Sequence, residues 1–157
     1  MNNLIEWLPK NIPDDDETSI VHGDYRLDNM ILKNNNVMGI LDWELSTLGH
    51  PIADFSYHCL SWRTQEAFWD QARLKELGVP SEKEYMNMYC ENTGKDLSKN
   101  WEFYMAFNMF KIAGILQGIL GRVRDGTAAS KHAEDRGMMV YPLSEAAWST
   151  IEKNFLK

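Results

Sequence analysis

Residues 101–120 constrain this chain more than any other stretch. On a helix, Phe103, Met105, Phe107, Met109, Phe110, Ile112, Ile115, Leu116, Ile119 and Leu120 leave almost no polar face. A helix that is apolar all round belongs at the centre of a domain. Gly114 and Gly118 stand four apart, a spacing that suits close packing within a core. Lys111, Arg122 and Arg124 bracket only a short apolar stretch, so no run is expected to reach the length needed to cross a bilayer. With 157 residues, 44% of them hydrophobic, the chain can enclose one sizeable core around such a helix.

Shorter helix-compatible runs cover 52–62, 65–77, 82–93 and 141–155, with Trp62, Phe68, Trp69, Tyr85, Met88 and Trp148 available for the core. Gly78 and Pro80 stop one run, Ser81 with Glu84 three residues later caps the next, and Gly94 ends it. Near the start, 4–8 reads as a helix halted by Pro9, and Asp14-Asp15-Asp16-Glu17 as a solvated loop. Ser19-Ile20-Val21-His22 reads as a short buried strand. Met30-Ile31-Leu32 and Val37-Met38-Gly39-Ile40-Leu41 flank Asn34-Asn35-Asn36, and Asn adopts the left-handed conformation that hairpin turns need. The expected fold is α+β and mostly helical, a β-hairpin leading into a helical body, with 1–157 forming one domain.

A net charge of −7 argues against nucleic acid or an anionic membrane as partner, since both reward a basic face. A phosphate-bearing ligand must then be held locally. Cys59 and Cys90 lack zinc-site spacing and disulfide density, which points to a reducing, intracellular compartment. Met1-Asn2-Asn3-Leu4 lacks the basic-then-apolar pattern of a signal peptide.

The chemistry concentrates in His22-Gly23-Asp24-Tyr25-Arg26-Leu27-Asp28-Asn29. Phosphoryl transfer needs a carboxylate at the attacking hydroxyl and oxygens that hold magnesium against the nucleotide phosphates. An Asp-x-x-x-x-Asn loop, here Asp24 and Asn29, can supply both. Asp42 follows the second hairpin strand, and a hairpin brings its two ends together, so one ion could reach both Asn29 and Asp42. Glu44 touches substrate or caps the turn, and Arg26 is a further substrate-binding candidate. His50 and His58 have no carboxylate at metal spacing and are read as ordinary loop and helix residues. Arg122, Arg124, Lys131 and His132 form a basic stretch that either meets a phosphate of the ligand or is solvated.

His22-Gly23-Asp24 with Asn29 and Asp42-Trp43-Glu44 resembles the aminoglycoside phosphotransferase family, from about residue 18 to the C-terminus. The resemblance implies a protein-kinase-like fold, of which this chain is the C-terminal lobe. It implies Asp24 as catalytic base, His22 supporting the catalytic loop, Asn29 and Asp42 as Mg2+ ligands, Asp54 bracing the loop, and ATP as phosphate donor. Within that family, the runs 21–29, 41–51 and 101–107 are similar to the kinase-like domain of acyl-CoA dehydrogenase family members ten and eleven. That similarity implies a small-molecule acceptor of the 4-hydroxyacyl-CoA class, fusion to or association with an acyl-CoA dehydrogenase, and a mitochondrial or peroxisomal address. The family's nucleotide lobe carries a glycine-rich loop, a strand lysine and a helical acid, and none of these precedes His22. The chain is therefore expected to be either an enzyme lobe, nearly inactive alone, or a catalytically incompetent binding module.

Overall fold

The computed structural model describes residues 1–15, 17–64 and 71–156. Asp16, Phe68 and Trp69, along with the first half of the helix expected over 65–77, lie outside the described residues. The chain divides into two compact units, one of Asp14–Trp101 and the other of Met1–Pro13 with Glu102–Lys157.

The Asp14–Trp101 unit contains both sheets. Strand β1 (Ser19–Val21) pairs antiparallel with β4 (Thr47–Gly49), aligning Ile20 with Leu48, while β2 (Met30–Lys33) pairs with β3 (Asn36–Ile40). Asn34 and Asn35 take φ of 50° and 60°, the two successive left-handed residues that let a two-residue turn match strand twist. Met30 faces Ile40 across the ladder, and a register irregularity lies between Ile31 and Leu32. Strand β4 was not foreseen, because three residues carry too little alternation to be read. Helix α2 (Pro51–Thr64) follows β4 and buries Ile52, Phe55, Ser56, Cys59 and Leu60, the i, i+3, i+4 spacing of one helical stripe.

Helix α3 (Gln71–Glu76) is short. Helix α4 (Glu82–Thr93) opens on the capping box foreseen from sequence: the Glu84 amide donates to Ser81 Oγ, and the Ser81 amide donates to Glu84 Oε2 at 2.8 Å. The Ser81 hydroxyl, which donates to Glu84 Oε2 at 2.6 Å, and then the Ser81 amide hold the Glu84 carboxyl below the usual carboxylate range. Gly94 closes the helix at φ 73°. Phe55 stacks on Tyr89 with centroids 3.9 Å apart and meets Trp101 at 5.6 Å. Arg63 forks onto Glu82, and the Trp101 indole donates to the same carboxylate at 2.9 Å. The sequence offered no sign of this partly buried polar junction, since its members are 19 residues apart or more.

The second unit is helical: α1 (Asn2–Trp7), α5 from Glu102 onward (the whole helix is Trp101–Arg124), α6 (Ala133–Met138) and α7 (Val140–Phe155). On α7, Val140, Ser144, Ala147 and Ile151 are buried at four- and three-residue steps. Trp7 lies 6.2 Å from Phe103 and 5.1 Å from Phe155 between ring centroids. A Cβ on Gly137 would sit 2.6 Å from the Leu120 side chain, so α6 reaches α5 only through a glycine.

Three expectations about α5 are revised. Its first half is buried at Phe103, Tyr104, Met105, Ala106, Met109 and Ala113, but Ile115 is 54% exposed, so the helix is central over half its length. Gly114 and Gly118 are exposed rather than packed in a core. By length and composition alone the 24-residue helix would also suffice to cross a membrane, contrary to the expectation that no run does. The charged residues used to bracket it, Arg122 and Arg124, fall at its end, leaving the preceding window apolar enough.

Candidate active site

The loop after β1 is built on Gly23. Its φ is +83°, and a Cβ there would lie 2.5 Å from the Leu45 carbonyl oxygen. Both facts require glycine. The loop is then gripped from α2. Asp54, on the first turn, accepts the His22 amide on Oδ2 at 2.7 Å and the Gly23 amide on Oδ1 at 2.8 Å. Three and four residues further along the same helical face, the Tyr57 hydroxyl donates to Asp24 Oδ1 at 2.9 Å and His58 Nδ1 meets the Tyr25 carbonyl at 3.1 Å. Burial pushes the His58 imidazole below its usual value, so it donates as the neutral ring.

His22 is buried and spends both ring nitrogens on backbone. Nδ1 accepts the Asp24 amide at 3.3 Å, and Nε2 lies 2.8 Å from the Leu41 carbonyl. Only the Nε2–H tautomer satisfies both contacts. The ring thereby ties the loop at Asp24 to the chain at residue 41. Leu41 is also fixed through the preceding peptide unit, since its N–H donates to the Asn29 carbonyl at 2.8 Å. The hairpin and His22 together thus bring the backbones of Asn29 and residue 41 into contact.

Asp42 follows directly, with φ 65° and ψ 54°. A non-glycine residue here costs on the order of 1 kcal/mol, and strained carboxylates of this kind gather at functional sites. The Trp43 indole donates to the Ile40 carbonyl at 2.8 Å, tightening the turn over Asp42. Asp42 and Glu44 are exposed, and neither side chain forms a hydrogen bond or ion pair among the described residues.

Asp24 is held from several sides. Besides Tyr57, it receives Asn29 Nδ2 on Oδ2 at 3.1 Å, and Arg26 Nε stands 3.4 Å from that oxygen. Asn29 also donates to the Asp24 carbonyl at 2.9 Å. With its nitrogen spent this way, the Asn29 amide can offer only its oxygen to a cation. Arg26 also lies 3.7 Å from Asp28 and is more than half exposed. Burial first, then the bond to Asp24 and its charge, push the Tyr57 phenol up to about 12.

A magnesium ion suits this donor set. The Asn29 amide oxygen and the Asp42 carboxylate are hard ligands. No group of three or more His, Cys, Asp or Glu residues suited to a metal occurs among the described residues, so most ligands would have to come from phosphate and water, as Mg2+ prefers. Sequence reasoning missed Tyr57, although its position three residues after Asp54 was a usable signal. His50 Nε2 stands 3.3 Å from Asp15 Oδ2. Arg122, Arg124, Lys131 and His132 are exposed, in the other unit.

The sequence model of the phosphotransferase enzyme family matches residues 1–88. A provisionally assigned aminoglycoside phosphotransferase of Ralstonia eutropha, solved by crystallography, is 48% identical, with a TM-score of 0.87 over 97% of this chain and 48% of that one. The fold is thus the kinase-like one of aminoglycoside phosphotransferases, mostly helical with few short strands. Mouse acyl-CoA dehydrogenase family member 10 is 42% identical over 98% of this chain and 15% of its own length. Human acyl-CoA dehydrogenase family member 11 is 37% identical over 99% of this chain and 21% of its length. The chain therefore spans about half of the solved relative and about a seventh and a fifth of these two curated ones.

Proposed function

The chain belongs to the phosphotransferase enzyme family, and we propose on that footing that it is the C-terminal, base-bearing lobe of a Mg2+- and ATP-dependent enzyme that phosphorylates a hydroxyl. The observation that carries this is the arrangement around residue 41. Leu41 donates its N–H to the Asn29 carbonyl and presents its C=O to His22, so Asp42 directly follows a residue held against both, while the amide nitrogen of Asn29 is spent on Asp24. Base and metal ligands are thereby joined through a single hydrogen-bonded frame.

In this reading Asp24 accepts the proton of the acceptor hydroxyl as that oxygen bonds to the γ-phosphorus and the bond to the β-bridging oxygen breaks, releasing ADP. Asn29 and Asp42 would hold Mg2+, whose charge, when bound, offsets that of the phosphates. Asp54 and His22 keep the loop in place, and the exposed Arg26 and Glu44 face the acceptor.

The acceptor is a hydroxyacyl-CoA rather than an aminoglycoside. The relatives named acyl-CoA dehydrogenases support this choice. Fusion to, or association with, an acyl-CoA dehydrogenase belongs to the same proposal.

The test joins this chain to a nucleotide-binding half, in the register of the Ralstonia protein, and compares turnover of 4-hydroxyacyl-CoA and kanamycin with Mg·ATP. Preference for kanamycin overturns the acceptor assignment. Undiminished turnover after Asp24→Asn overturns the base.

A further inference from the structure

Among the described residues three donors reach the Asp24 carboxylate, and they differ in what they are attached to. Asn29 and Arg26 belong to the same short loop, 24–29, and move with it; Asn29 is in addition bonded to the Asp24 backbone itself. Tyr57 comes from α2, a 14-residue helix whose buried side packs Phe55, Cys59 and Leu60 into the core of its unit. Its hydroxyl is the one donor that ties the orientation of the carboxylate to the helical body. The same helical face already holds the loop backbone through Asp54 and His58. With these donors in place, only 20% of the Asp24 side chain remains exposed.

We propose that Tyr57 is the positioning residue of the base: its hydroxyl, bonded to Asp24 Oδ1, fixes the rotamer from which Asp24 meets the acceptor hydroxyl. This rests on the reading of Asp24 as the base and adds a residue to it. Asp54 sets where the loop backbone lies, while Tyr57 sets where the carboxylate points. A carboxylate on a glycine-preceded loop has two side-chain torsions to lose, and a base acts only when it sits within hydrogen-bonding reach of the proton it takes. The phenol suits this task because burial and the neighbouring carboxylate keep it protonated, hence a permanent donor, throughout the working pH range. Phenylalanine would keep the ring's packing and lose the bond.

The experiment uses the chain itself, labelled with 13C and 15N. Three-bond couplings from Asp24 Cγ to its backbone nitrogen and carbonyl carbon report the first side-chain torsion. The expected result is one rotamer in the wild type and averaging over two or more in Tyr57→Phe, with the His22 and Gly23 amides equally protected from exchange in both. A single unchanged rotamer in Tyr57→Phe overturns the proposal, as does averaging in the wild type.

If Tyr57→Phe does not fold, Asp24→Asn serves instead. The Tyr57 phenol, isolated by difference absorbance, is expected to ionise at lower pH in that variant, and an unchanged midpoint overturns the pairing. In the chain joined to a nucleotide-binding half, Tyr57→Phe is expected to lower kcat roughly ten- to a hundredfold while leaving the KM for ATP within about twofold. An unchanged kcat overturns the role. Full turnover by Asp24→Asn instead refutes Asp24 as the base, while the couplings and the titration still decide whether Tyr57 holds it.

Discussion

Replacing Asp54 with alanine removes both anchors of the catalytic loop at once. The carboxylate accepts two amides, from His22 at 2.7 Å and Gly23 at 2.8 Å. Bonds to a charged acceptor contribute about 1.5–3 kcal/mol each, so the pair accounts for about 3–6 kcal/mol. Water can partly replace the lost acceptor at half-buried Gly23 but not at His22, which is 2% exposed, leaving an expected loss of about 3–4 kcal/mol. Asparagine keeps one acceptor and turns its NH2 toward the other amide, so Asp54→Asn is expected to cost about 2 kcal/mol. Urea unfolding of the three proteins measures this as a shift in midpoint at constant slope. Exchange of the His22 and Gly23 amides should accelerate in the same order. An alanine variant within about 1 kcal/mol of the wild type would refute the claim that this carboxylate holds the loop.

Asp42→Asn should leave unfolding unchanged within about 0.5 kcal/mol, because Asp42 is exposed and asparagine tolerates the left-handed backbone. It should nevertheless abolish Mg2+-dependent transfer in the two-lobed protein; retained transfer would remove Asp42 from the metal site. Burial holds His58 below the ordinary imidazole value of about 6.5, so the unfolded chain takes up this proton first. Its contribution is therefore complete above about pH 6.5 and is lost as pH falls through the lower folded value; thermal melts from pH 8 to 5 should show a slope that His58→Gln diminishes. Glu82→Gln should destabilise by about 2–3 kcal/mol, read by urea unfolding, because Arg63 and Trp101 both lean on that carboxylate. A neutral result would mean that water already serves these donors.

Much of the local framework was legible in the sequence because its causes are local. The Asn34-Asn35 turn, the Ser81 and Glu84 capping box and the stop at Gly94 each depend on residues within a few positions of one another. Asp24, Asn29 and Asp42 stood out for the same reason: a fixed spacing and one hairpin relate them. Periodicity promised a fully buried helix over 101–120, yet only its first half is enclosed, because apolarity states what a helix tolerates and not how many neighbours reach it. Strand β4 and helix α6 are too short to announce themselves.

Tertiary structure alone decided which side chains meet. The amide of His22 is 32 residues from Asp54, the Asp24 carboxylate 33 from the Tyr57 hydroxyl, and the His22 ring 19 from the Leu41 carbonyl. Residue types supply donors and acceptors, but a hydrogen bond forms only within about 3 Å and in the right direction. The first two are set when α2 packs beside the loop and the third when the hairpin closes, so the sequence could name the chemistry of the site while the fold chose what holds it in place.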